Sequence, residues 1–311
     1  MSSEHVESAD FAEKMAETVS VMKGLALTIA GAPGRNGHLA HASSVGMSDL
    51  AAQGVLQRRC PQWEGPVGDS YSIGAMTLIA ASDYGHGYAS LFEVSERAPV
   101  FAHLALTRAG LEACVVSIWL NDPRIDTERR VKRGLCEQLY STWEVGRLKI
   151  DDEQQQRIAG AKAFWQGCAD AFGWEISNNR GKPVVGGEQR PSMPVRISEL
   201  VVGRGDKPIG KALWSFLSAV IHVGWYGITP AVIEKPPSEP GIGPSLAMVG
   251  TDSKDVNPQS YGFLRALRQA GEARQTLMGW TSDPVWQEAA AKSEAHEEAL
   301  LKAIAESAQQ S

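Results

Sequence analysis

From Pro99 to Leu120 only Arg108 and Glu112 carry charge, and that stretch constrains the rest of the chain. Phe101, Leu104, Leu111, Val115 and Ile118 recur at helical spacing. Pro99 suits a first helical turn, and Asn121-Asp122-Pro123 stops the helix, because proline disfavours helical geometry in the residue before it. A helix so poor in charge has to be covered on most of its circumference, with Leu104, Leu111 and Val115 buried. Other helices must therefore pack around it.

The flanking sequence supplies them. Asp126 caps a helix whose stripe is Val131, Leu135, Leu139 and Trp143. Asp151 with Gln154 resembles a capping box for the next, with Ile158, Ala161, Trp165, Cys168 and Phe172 in line. Upstream, a helix over 9–30 should be broken by GAPGRNG at 31–37, a second covers 47–59, and residues 60–70 are turn-rich. An apolar segment opens at Ile73–Ala81 and extends through Leu91. Downstream, 177–196 reads as a loop or hinge, and helix returns at 208–228. Pro230 to Gln259 holds six prolines and should wander over the surface. The tail from Asp283 is an Ala- and Glu-rich helix docking through Trp286, Leu300, Leu301 and Ile304. The expected fold is all-α: a helical bundle with a Pro/Gly-rich connection to a C-terminal helix. Residues 1–69 form an N-terminal helical segment, 70–228 the bundle core, and 229–311 the connection and last helix.

Hydrophobic residues make up 43% and charged residues 21% of the chain, a globular balance. A formal net charge of −6 argues against a broad nucleic-acid surface, the one basic cluster being Arg129, Arg130, Lys132 and Arg133. Cys60, Cys114, Cys136 and Cys168 contain no C-x-x-C pair, so reduced, buried thiols in a cytoplasm are expected. The acidic N-terminus is not a secretory signal. The uncharged run at 212–233 is diluted by serine, glycine, His222 and Pro230, which favours a buried core helix over a membrane span.

Three residues are candidates for chemistry. Arg108 and Glu112, at i and i+4, share a helix face with Val115 and Trp119. They are either an internal ion pair that sets register or part of a polar cavity. Arg129, Arg133, Glu137, Tyr140 and Glu144 share a face of the next helix, solvated unless it turns toward Arg108 and Glu112 to enclose a polar seam. His222 sits in an apolar helix with Ser215 and Ser218 on its own side, as a core histidine or an acid/base group. The glycines of GAPGRNG lack phosphate-loop spacing, and His38 and His41 lack further metal ligands nearby, so no cofactor and no metal are expected.

The run LALTRAGLEACVVSIWLNDPRIDTERRVKRGLCEQLYS (104–141) and LWSFLSAVIH (213–222) resemble an uncharacterised actinobacterial helical protein family. Its pattern is R-x-x-x-E, then W-x-x-x-D-P, then an Arg-rich helix, then Y-x-x-L-S-x-x-x-H, with Trp214 here in place of the tyrosine. The likeness covers 98–228 and implies that both runs belong to one bundle, with Arg108, Glu112 and His222 converging in its interior. Arg35-Asn36 with His41, and Arg97 with His103, resemble more distantly the Arg–polar…His mark of HEPN bundles, which include metal-independent RNA nucleases. Two classes of function follow. One is a non-catalytic intracellular regulatory or interaction protein locked by an Arg/Glu/His seam. The other is a HEPN-like RNA nuclease or toxin, or a small-molecule-binding helical protein. The partner is a protein or a small molecule, and homo-oligomerisation is compatible with the sequence.

Overall fold

A computed structural model describes residues 3–37, 40–94, 101–148, 151–179, 182–202, 213–219, 232–233, 248–249 and 253–310. The described elements are helices α1 (Ser3–Asn36), α2 (Val45–Arg59), α3 (Pro66–Val94), α4 (Ala102–Leu120), α5 (Thr127–Gly146), α6 (Asp152–Phe172) and α7 (Met193–Val202). They continue with α8 (213–219), α9 (Ser253–Met278) and α10 (Pro284–Gln310). The fold is all-α, as expected, with only two small antiparallel sheets among the described residues.

α4 is the buried centre: Leu104, Leu111 and Val115 are 5%, 0% and 3% exposed. It is the one described helix long and apolar enough to cross a membrane, and most of it is covered by protein. α3 packs against both α4 and α1, α9 packs against α4, α1 and α3, and α10 closes over α1 and α9. The expected caps form, with Asp126 accepting from Arg129 N at 2.8 Å and Asp151 from Gln154 N at 2.7 Å.

Three segments differ from expectation. α1 does not break at GAPGRNG but runs through Pro33 to Asn36. Arg35 Nη2 donates to the Thr28 carbonyl at 2.8 Å and Asn36 Nδ2 to that of Ala32 at 2.9 Å, adding side-chain hydrogen bonds to the turns around Pro33. Gly31 leaves room for the Arg35 side chain to fold back, and Gly37 then ends the helix at φ +76.

Second, the expected loop at 177–196 holds an antiparallel meander of β1 (Ile176–Asn179), β2 (Lys182–Val185) and β3 (Glu188–Gln189). Gly186 and Gly187, both at positive φ, make the two-residue turn that reverses β2 into β3, and Val185 is buried against the bundle.

Third, helix begins by Ser253 within the proline-rich segment, and Phe263, Leu264, Leu267 and Ala270 of α9 are wholly buried. Earlier in that segment Val232–Ile233 (β4) pair with Met248–Val249 (β5).

Candidate functional site

The α4 face carrying Arg108, Glu112 and Trp119 meets the α5 face carrying Arg129, Arg133, Glu137 and Tyr140, and the meander closes the gap. Residues two apart on an extended chain point the same way, so Glu188 and Arg190 both reach toward α5. Glu188 accepts from Arg129 Nε at 2.6 Å and Arg133 Nε at 2.8 Å. Arg133 also donates to the Trp119 carbonyl at 2.6 Å and lies over the Trp119 ring. Arg190 is the bridge. Its Nε stands 3.1 Å from Glu137 Oε2, its Nη2 3.7 Å from Glu112 Oε1, and its guanidinium 4.0 Å from the centre of the Tyr140 ring.

The expected ion pair between Arg108 and Glu112 does not form. Glu112 instead stands 3.7 Å from Arg190, which it shares with the closer Glu137. Arg108 lies over Trp214 of α8 at 4.7 Å, and its Nε is buried without a hydrogen-bond partner. The seam is therefore real but is organised by Arg190. His222 lies outside the described residues, although Trp214 in the same run reaches α4. Thus Arg108 and Glu112 share a face of α4 but meet different partners, Trp214 and Arg190.

Burial acts on Glu137, Lys182 and Glu188. It pushes the Glu137 carboxyl above its usual range, with Arg190 opposing and Glu112 adding to the rise. It pulls Lys182 down, helped by Arg190. For Glu188 burial works upward, yet hydrogen bonds from Arg133 and Arg129 prevail and hold it low. A carboxyl whose folded pKa is raised binds its proton more tightly in the native state than when unfolded. Its contribution is present below the unfolded value of 4.5 and is lost as pH climbs through the folded value. Urea unfolding between pH 4 and 8 should therefore show a stability decline in the wild type that is flattened in Glu137→Gln. Glu112, with its side chain 36% exposed, should give a loss below about 1 kcal/mol on truncation to alanine. An unchanged pH profile in Glu137→Gln would contradict this account.

A second polar centre was not visible in the sequence. Asp49 of α2, 3% exposed, accepts from Tyr71 Oη at 2.7 Å, Arg130 Nε at 2.7 Å and Thr127 Oγ1. Arg130, 1% exposed, spends its other nitrogens on the Leu120 and Ile125 carbonyls, at 2.9 and 3.2 Å. Arg274 of α9, whose guanidinium also lies over the Tyr71 ring, donates to Asn121 Oδ1 at 3.1 Å, and Asn121 donates to the Gly74 carbonyl at 3.0 Å. Five helices are tied together at this point. The only sequence cue is the basic cluster Arg129, Arg130, Lys132 and Arg133.

Other buried charges join distant elements. Arg35 and Asn36 both donate to Asp283 at the start of α10, while His41 contacts Ser43. His103 is buried with its ring near Phe92, and Arg97 lies outside the described residues. Arg268 forms two bonds to Glu297, and Thr18 pairs with His296 at 2.8 Å. All four cysteines are free and buried, and burial pushes the Cys136 thiol up to about 12. Native protein should react slowly with a thiol reagent, whereas denatured, unreduced protein should release four equivalents. Fewer than four would reveal a disulfide. Among the described residues no group of three His, Cys, Asp or Glu could hold a metal ion. No family model, curated protein or solved structure matches this chain.

Proposed function

We propose that the chain is a non-catalytic intracellular regulatory or interaction protein whose polar seam locks the meander onto the bundle. The observation that carries this is Arg190, which holds Glu112 and Glu137 from two helices while stacking on Tyr140. A charge committed to two carboxylates and a ring is suited to fixing geometry, and it has little left to offer a substrate. Arg35 and Asn36 are committed in the same way, to Asp283.

The test separates locking from catalysis. Arg190→Lys keeps the charge but loses the planar fork. Under the proposal it lowers the melting temperature by several degrees, and purified wild type leaves single-stranded and structured RNA intact in the presence of a chelator. RNA cleavage that disappears in Arg35→Ala, His41→Ala or His222→Asn, with folding retained, would overturn the proposal in favour of a HEPN-like nuclease.

A further inference from the structure

We propose that the exposed sides of α1 and α3 form one docking face on which a second copy of this chain sits, giving a weak, symmetric homodimer. The proposal rests on the reading of the chain as an interaction protein and names its partner.

The sequence leaves this face almost without charge. α1 carries none from Gly24 to Gly34, and α3 none from Ser70 to Ser82. Both runs nevertheless have a side in water: Met76 is 63% exposed, Leu27 55% and Ile79 39%. Their spacing is regular. Lys23, Leu27, Ala30 and Gly34 recur at steps of four, three and four residues along α1, as do Ser72, Met76, Ile79 and Asp83 along α3. Such steps make the seam of paired helices. The two stripes also lie side by side. The helices run antiparallel, since Lys23 pairs with Glu93 while Ala30 and Pro33 share an apolar cleft with Ala75 and Ile79. Single exposed hydrophobics are ordinary, but an apolar strip on two neighbouring helices marks a contact surface.

The relief of the face fits it to itself. Met76 and Ile79 stand out from α3, whereas on α1 nothing lies within 4 Å of where a Cβ on Gly34 would be. A two-fold axis running between the helices and along them lays α3 of each chain over α1 of the other. Met76 then enters the hollow at Gly34 of the second copy, and Ile79 meets Ala30. Asp83 comes within a turn of Lys23, an opposite charge at the rim. A membrane surface fits less well, because helices that lie on membranes carry a basic flank. Here the rim is Lys23, Asp83 and Glu93, in a chain of net charge −6. Each stripe is roughly 18 Å long and two neighbouring helices are about 20 Å wide, so each chain offers on the order of 400 Å². The pair buries about 800 Å², the low end for specific contacts, where association is reversible.

Sedimentation velocity of the full chain, from micromolar to millimolar concentration, should show a monomer–dimer equilibrium. Leu27→Glu and Met76→Glu, both at exposed positions, should each weaken dimerisation at least tenfold, because symmetry places every substitution in the interface twice. Leu148→Glu, at a side chain 65% exposed just past α5, should leave it unchanged. A monomer at every concentration, dimerisation unchanged in folded Leu27→Glu or Met76→Glu, or an equal loss in Leu148→Glu would overturn the proposal. So would a monomer that sediments with zwitterionic or anionic lipid vesicles through Leu27 and Met76, which would assign the face to a membrane. None of these results bears on RNA cleavage or on Arg190, which test the underlying reading.

Discussion

Asp49→Ala is expected to destabilise the protein by about 3–5 kcal/mol, because it strands a buried guanidinium that has no other carboxylate. Asp49 is 3% exposed and Arg130 1%, so neither charge gains water when its partner is removed. The Arg130 bonds to the Leu120 and Ile125 carbonyls remain, but they are neutral acceptors. The Tyr71 hydroxyl and Thr127 hydroxyl lose their acceptor at the same time. Urea midpoints of wild type, Asp49→Ala, Arg130→Met and the double variant form a cycle that isolates the pair. The double variant should recover part of the loss, since an apolar replacement of both partners is tolerated better than an orphaned charge. A single-variant loss under about 1 kcal/mol would mean that water reaches Arg130.

The second large effect runs against helix propensity. Gly110 of α4 and Gly134 of α5 both lie inside helices, where alanine normally gains about 0.5–1 kcal/mol. At Gly110, however, a Cβ would overlap the Phe263 ring of α9, and at Gly134 it would overlap the Ser70 side chain of α3 and press on its backbone. At these glycines the neighbouring helix leaves no room for a Cβ, so alanine should cost about 1–3 kcal/mol or more through overpacking. Gly160 on the exposed side of α6 has nothing near its missing Cβ, and Gly160→Ala should stabilise. Thermal melts of the three variants check the contrast. Partial rescue of Gly110→Ala by Phe263→Leu would identify the ring as the obstruction, and a stabilised Gly110→Ala would refute the packing described.

What could be read from the sequence, and what could not, follows from the range of the interactions. α4, α5 and α6 were legible because their stripes, caps and the Asn121-Asp122-Pro123 stop are local. The shared face of Arg133, Glu137 and Tyr140 was legible too, but its partner was not. Arg190 lies in a glycine-rich stretch, and its pairing with Glu137 depends on a turn built by Gly186 and Gly187. α9 was missed because the prolines before it dominated the local composition. Even so, Val256, Phe263, Leu264, Leu267, Ala270 and Leu277 stand at helical spacing and would have revealed it. The Asp49–Arg130 pair spans 81 residues, and nothing at either position names the other.

The closure of α10 over α1 has a consequence for synthesis on the ribosome. Thr18 and His296 are 278 residues apart in the chain, and Arg35 waits for Asp283 across 248. At ordinary translation rates of about 5–20 residues per second, α1 emerges well over ten seconds before its last partner. During that interval α3 can cover part of the Met15–Ile29 stripe, but the side destined for α9 and α10 stays open. Vectorial folding from the N-terminus therefore cannot finish α1 until α10 has emerged, and emergence of α10 becomes the committing event. A nascent chain stalled before Pro284 would present that uncovered apolar face to chaperones.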